Sequence, residues 1–183
     1  MGRLIFILGG ARSGKSVYGQ QLAKKIEKER GGGIVFIATA KVGDEEMRER
    51  IERHRRDRPP NWETVEAPMG VAAVVAEVGA RRAAVIVDCL TLLMSNLLLA
   101  EGEDADAGKA AQSILREVEE LVEAAQAVEA DVIIVSNEVG MGVVPSTRLG
   151  RLFQDIAGRA HQLLANAADE VYFMLAGLPQ RLK

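Results

Sequence analysis

Short, uninterrupted apolar runs alternate along this chain with longer stretches in which apolar and charged residues are mixed. Four of the runs, Arg3-Leu4-Ile5-Phe6-Ile7-Leu8, Ile34-Val35-Phe36-Ile37-Ala38, Ala83-Ala84-Val85-Ile86-Val87-Asp88 and Asp131-Val132-Ile133-Ile134-Val135-Ser136, carry no alternating polar face. That is the form of strands covered on both sides. Between them, Val17 to Arg30, Met69 to Gly79, Leu90 to Ala100 and Lys109 to about Glu129 read as helices. Gly31-Gly32-Gly33 ends the first of these, and Ser146 or Thr147 can cap a last helix running to about Ala167. Trp62 to Glu66 reads as a short extended segment, and Glu170 to Ala176 as a final strand. Pro179 is expected to interrupt any edge strand beyond it. Strands that alternate with helices predict an α/β fold with a mainly parallel sheet, and 183 residues suit one such domain spanning residues 1–183.

The sharpest chemical signal sits between the first strand and the first helix. Gly9-Gly10-Ala11-Arg12-Ser13-Gly14-Lys15-Ser16 fills every slot of the phosphate-binding pattern G-x-x-x-x-G-K-[ST]. Glycines let the backbone fold into a nest whose N–H groups face the phosphates where the helix dipole is positive. Lys15 is then placed to reach the β- and γ-phosphates, and the Ser16 hydroxyl to ligate Mg²⁺. The order strand, glycine loop, helix is the one this mechanism demands, so the expected fold narrows to a P-loop NTPase (RecA-like) three-layer sandwich. Asp88, at the tip of an apolar run, has the form of an acidic residue that holds Mg²⁺ directly or through water; a structural carboxylate is the alternative. The loop Asn137-Glu138-Val139-Gly140-Met141-Gly142 follows another buried strand and so belongs to the active-site rim of such a sheet. Glu138 in it can orient a substrate, or serve only the loop.

Charge removes some partners. The net charge of −3, with both signs spread along the chain, speaks against nucleic-acid binding. The N-terminal apolar run is too short for a signal peptide or a membrane span, which fits a cytoplasmic protein. Cys89 is the one cysteine, read as a small apolar residue rather than a reactive thiol. His161 reads as a surface or half-buried helix residue.

A P-loop alone leaves kinase, motor ATPase, GTPase switch and nucleotidyltransferase open. The charged helix expected over Asp44 to Arg58 and stopped by Pro59-Pro60 bears on the choice, because it sets His54 among arginines. Neighbouring cations disfavour imidazolium, so His54 keeps a ring lone pair and can act as a nucleophile towards phosphorus. Arginines beside it can hold a triphosphate. A solvated charged face is the plainer reading of the same stretch.

Taken together, the GGARSGKS loop, the Ile37-Ala38-Thr39-Ala40 strand end, the Asp44 to His54 helix, the Trp62 to Glu66 segment, the NEVGMG loop and Asp155-Ile156-Ala157-Gly158-Arg159 resemble the bifunctional adenosylcobinamide kinase / adenosylcobinamide-phosphate guanylyltransferase family. The similarity covers nearly the whole chain. It implies two steps of cobalamin assembly: phosphorylation of the adenosylcobinamide hydroxyl by GTP or ATP, then transfer of GMP from GTP through a guanylyl-histidine to give adenosylcobinamide-GDP. By motif position it implies that His54 is the guanylylated residue, and that Ala38, Thr39, Ala40, Arg55, Arg56, Asp57, Arg58, Glu66 and Asp88 line the nucleotide or metal site. A homotrimer with sites near subunit interfaces is implied as well, and a corrinoid as the small-molecule partner. The apolar Leu90 to Ala100 stretch is expected to be core or subunit contact rather than corrinoid pocket. A single-activity kinase in which His54 only binds phosphate, and a regulatory P-loop ATPase or GTPase, fit the loop equally.

Overall fold

The computed structural model describes the chain except residues 42, 44, 57 and 103–105, and leaves undescribed the side chains of Glu46, Met47, Arg50, Arg53 and His54 within a helix. In chain order the elements are β1 (Leu4–Gly9), α1 (Lys15–Arg30), β2 (Ile34–Ala38), α2 (Glu45–Arg56), β3 (Glu63–Glu66), α3 (Val71–Val78) and β4 (Ala84–Asp88). They continue with α4 (Leu90–Glu101), α5 (Ala107–Ala127), β5 (Asp131–Asn137), α6 (Arg148–Ala167), β6 (Glu170–Leu175) and β7 (Leu178–Arg181). The seven strands form one sheet in the order β3-β2-β4-β5-β1-β6-β7, parallel throughout except for the last pair.

The apolar runs explain the layering. Successive strand residues point to opposite faces, so Leu4, Phe6, Val35, Ile37, Val85, Val87, Val132 and Ile134 pack in one cluster with residues of α3, α4, α5 and α6. Ile5, Ile7, Ile34, Phe36, Ile86 and Ile133 pack in the other, against Ala23 and Ile26 of α1 and against Trp62. Both faces are covered, which is why these strands read as unbroken apolar runs. Beneath the sheet, buried Asp131 receives Arg3 at 2.7 Å and Arg30 at 2.7 Å, tying the starts of β1 and β5 to the end of α1.

The C-terminal tail departs from expectation. Pro179 does not interrupt an edge strand but sits inside one, β7, opposite Met174 of β6. An edge strand leaves alternate N–H groups without a ladder partner, so the missing proline N–H is tolerated there. Ala176 (φ 51°) and Gly177 (φ 83°) make the two-residue turn between β6 and β7, both at positive φ as the strand twist requires. The last helix starts where the hydroxyl cap was expected: Thr147 Oγ1 accepts from Gly150 N–H at 3.1 Å.

Candidate active site

Because β1 to β5 run parallel, their carboxyl ends gather the expected functional segments at one edge of the sheet. The P-loop follows β1, Ala38 to Ala40 follow β2, Glu66 ends β3, Asp88 ends β4, and the Asn137 to Gly142 loop follows β5. Strand β5 lies between the strand of Asp88 and the strand of the P-loop.

The P-loop is held from both sides. Glu138 N–H donates to Gly9 O at 2.9 Å from the β5 side, and Gly177 N–H donates to Ser13 O at 3.0 Å from the β6–β7 turn. Within the loop, Ser13 N–H donates to Gly10 O at 3.3 Å. Gly14, at φ 94°, precedes α1 in a left-handed conformation that lets the helix begin without a clash, and a Cβ at Gly9 would stand 2.6 Å from Met174 O. Buried Lys15 opens α1, and its ammonium donates to Gly10 O and, at 3.4 Å, to Ser13 Oγ. It therefore lies folded over the nest, while Ala11 and Arg12 stay exposed and Ser16 is half-buried. Ser16 lies at the start of α1, and Asp88 is half-buried at the end of β4. Among the described residues, no group of three or more His, Cys, Asp or Glu side chains converges to hold a metal without help from a ligand.

Thr39 is fully buried and ties β2 to the end of β4. Its Oγ1 donates to Cys89 O at 2.7 Å and accepts from Cys89 N–H at 2.8 Å, and its own N–H donates to Asp88 O at 3.2 Å. Its carbonyl accepts from Asn96 Nδ2 at 2.8 Å, which also reaches Pro68 O at 2.9 Å. Every polar group of Thr39 thus has a partner inside the protein. Cys89 is buried, and burial followed by the charge of Asp88 pushes its thiol up to about 11, which bears out the reading of an inert small residue.

On the other side of the site, α2 carries His54 in its last turn. The His54 side chain and Asp57 lie outside the described residues. Arg55 stands 4.0 Å from Glu66, both well exposed, and Arg56 is exposed beside it. Arg58 behaves differently. Its guanidinium lies over the Phe36 ring at 3.7 Å, and one amine lies 3.4 Å from Thr64 Oγ1. Burial lowers its pKa, a pull opposed by the charges of Asp88 and Glu66 and aided by Arg55. Its buried Nε has no hydrogen-bond partner among the described residues. A buried side-chain donor without a partner is uncommon in a folded protein.

A second polar cluster was not expected. His161 is buried, not at the surface, with Nε2 2.8 Å from Ser136 Oγ and Nδ1 3.9 Å from Glu138 Oε2. Its position was recoverable: Ala157, His161 and Leu164 follow helical spacing on the buried stripe of α6.

A profile of the cobinamide kinase / cobinamide phosphate guanyltransferase family matches residues 5–182. The chain belongs to this family. Among curated relatives of this kinase and guanyltransferase family, the bifunctional adenosylcobalamin biosynthesis protein CobP of Pseudomonas aeruginosa is 42% identical over 97% of this chain and 95% of its own length. The bifunctional adenosylcobalamin biosynthesis proteins CobU of Escherichia coli and Salmonella typhimurium are 39% and 38% identical, each covering 98% of this chain and 99% of the relative. The flagellar accessory protein FlaH of Methanocaldococcus jannaschii, at 16% identity and a TM-score of 0.50 over 99% of this chain and 78% of its own, shares the fold alone. No described helix of this kinase and guanyltransferase family member is long and apolar enough to cross a membrane.

Proposed function

We propose that this chain phosphorylates the hydroxyl of a cobinamide with a nucleoside triphosphate, GTP or ATP, and then transfers GMP from GTP to the phosphate it has made. The observation that carries the reading is a complete phosphate nest with buried Lys15, on a chain matched over residues 5–182 by a cobinamide kinase / cobinamide phosphate guanyltransferase profile. In the first reaction Gly9 to Ser16 cradle the phosphates and Lys15 turns from Gly10 O to the β- and γ-oxygens. Ser16 and Asp88 would hold Mg²⁺, which when bound neutralises charge on the phosphates. Arg55, Arg56, Asp57 and Arg58 would meet the nucleotide, together with Glu66 and the segment Ala38 to Ala40.

In the second reaction a ring nitrogen of His54 attacks the α-phosphorus of GTP and pyrophosphate leaves. The phosphate of the acceptor then takes GMP from the histidine. The neighbouring Arg55, Arg56 and Arg58 favour a neutral, nucleophilic ring and offset charge on the phosphorus under attack. A homotrimeric assembly in the cytoplasm is part of this proposal, on family resemblance.

The test is incubation of the full chain with α-³²P-GTP. Acid-labile, alkali-stable label on the native protein, lost in His54→Ala, is the expected result. A protein that binds GTP and takes no label would refute the guanylyl-histidine, and a phosphoryl transfer unchanged in Lys15→Ala would refute the placement of the β- and γ-phosphates.

A further inference from the structure

Ser136, fully buried at the end of β5, joins two partners: Thr91 Oγ1 at 3.0 Å and His161 Nε2 at 2.8 Å. Thr91 Oγ1 also accepts from Asn137 N–H at 2.7 Å. One order compatible with that donor runs from the Thr91 hydroxyl to Ser136 and from the Ser136 hydroxyl to Nε2, which leaves the imidazole hydrogen on Nδ1. The opposite order would aim a ring lone pair at the Glu138 carboxylate, 3.9 Å away, which is repulsive. Burial holds the ring neutral against the opposing pull of Glu138, and the ring packs on Phe6 with centroids 5.7 Å apart.

A carboxylate beside the phosphate nest faces this ring. Glu138 Oε1 accepts from Gly140 N–H of its own loop, Oε2 faces His161, and the backbone N–H of Glu138 is bonded to Gly9 O. The side chain keeps 18% of its surface open. Each carboxylate oxygen has a second lone pair, so a substrate hydroxyl can still be accepted. Of the two carboxylates at the carboxyl ends of β4 and β5, Asp88 is the one the proposed function gives to Mg²⁺. Glu138 follows the strand adjacent to the P-loop strand.

We propose that Glu138 accepts the proton of the cobinamide hydroxyl during phosphoryl transfer, and that His161 is the positioning residue that aims it. The inference rests on the kinase half of the proposed function. As the hydroxyl oxygen bonds to the γ-phosphorus, its proton passes to the Glu138 carboxylate. The bond from γ-phosphorus to the bridging oxygen breaks, and the nucleoside diphosphate leaves with that electron pair. Glu138 then returns the proton to solvent. Thr91 and Ser136 serve as the anchor that keeps the His161 ring from turning.

The experiment measures steady-state phosphorylation of cobinamide with γ-labelled GTP by the full chain and four variants, with a melting curve for each. Glu138→Gln should lower kcat about 10²- to 10⁴-fold while KM for GTP stays near the wild-type value. His161→Gln can still meet Ser136 but presents no donor to Glu138, and should lower kcat about 10- to 100-fold. His161→Asn places an amide N–H where the Nδ1 hydrogen stood and should recover part of that loss, and Glu138→Asp should recover part of the loss in Glu138→Gln. Full kcat in Glu138→Gln overturns the inference, as does a loss that appears in KM for GTP instead of kcat. Should the His161 variants fail to fold, Glu138→Gln at the open rim decides alone. Wild-type protein that phosphorylates no cobinamide would instead sink the proposed function itself.

Discussion

The double hydrogen bond between Thr39 and Cys89 makes Thr39→Val a demanding test of how the site is braced. Valine matches threonine in shape, so no cavity opens and the backbone preference of a strand end is retained. What changes is polar. Cys89 N–H loses its partner at 2.8 Å in a region with no exposure, and an orphaned buried donor costs about 1–3 kcal/mol. Cys89 O loses the hydroxyl at 2.7 Å but keeps Leu93 N–H at 3.2 Å, so only one bond of about 1 kcal/mol disappears there. Burying a methyl in place of the hydroxyl returns up to about 1 kcal/mol. The net loss is about 1–4 kcal/mol, centred near 2.5, or roughly 5–10 °C in Tm for a domain of this size. Thr39→Ser keeps the hydroxyl, sheds one buried methyl and should lose about 1 kcal/mol. Urea titration of the three proteins, with an unchanged m-value as the check on two-state unfolding, reads the order directly. Apolarity and β-branching both rank valine above serine, so a valine variant as stable as the wild type, or more stable than the serine variant, would refute the hydrogen-bond argument. The same substitution loosens the step from β4 into α4, and phosphoryl transfer should weaken with it because Asp88 is the residue before Cys89.

Three further outcomes follow from other parts of the molecule. Ala176→Asn should raise stability by about 0.5–1 kcal/mol, because Ala176 is held at φ 51° in an exposed two-residue turn where Asn-Gly is favoured; an unchanged or lower Tm would contradict the turn assignment. Cys89 should stay unreactive towards a thiol reagent at pH 8 in native protein, with its thiol pushed up to about 11, and yield one thiol on denaturation; rapid native labelling would count against its burial. The third concerns pH: burial depresses the folded-state pKa of His161 below its ordinary 6.5, so its contribution to stability is present above 6.5 and lost as pH falls through the folded value. Between neutral and acidic pH the wild type should therefore lose more stability than His161→Gln, and parallel curves would sink the claim.

Much of this could be read from residue patterns because both faces of the sheet are covered. A strand such as Val85-Ile86-Val87 must be apolar on each side, and that leaves a run which helices rarely mimic at so short a length. The P-loop was legible because its chemistry demands fixed residue types at fixed spacing. Thr39 was legible only as a position near the nucleotide: which way its side chain turns depends on Cys89, fifty residues later in the chain. His161 was hidden for a related reason. A lone histidine in a helix carries no sign of its partners, and Ser136 and Glu138 reach it from a different strand and loop. Pro179 misled because even on an edge strand proline is barred only where its N–H would join the ladder, and the register that sets it opposite Met174 shows only in the assembled sheet.

The phosphate nest has a place in the history of each molecule as well as in its geometry. Strand β1 precedes the other six strands in the chain, yet both of its neighbours in the sheet, β5 and β6, come after β4. The loop that follows β1 is steadied by Glu138 on one side and by Gly177 on the other. A partly made chain can therefore hold the whole GGARSGKS signature and still lack the walls that shape it. Pairings across so many residues are late events in folding, since the entropy of closing a long loop must be met before any contact rewards it. The nest is thus a mark of completed folding: its signature is laid down early, and its walls arrive only when segments much later in the chain dock against it.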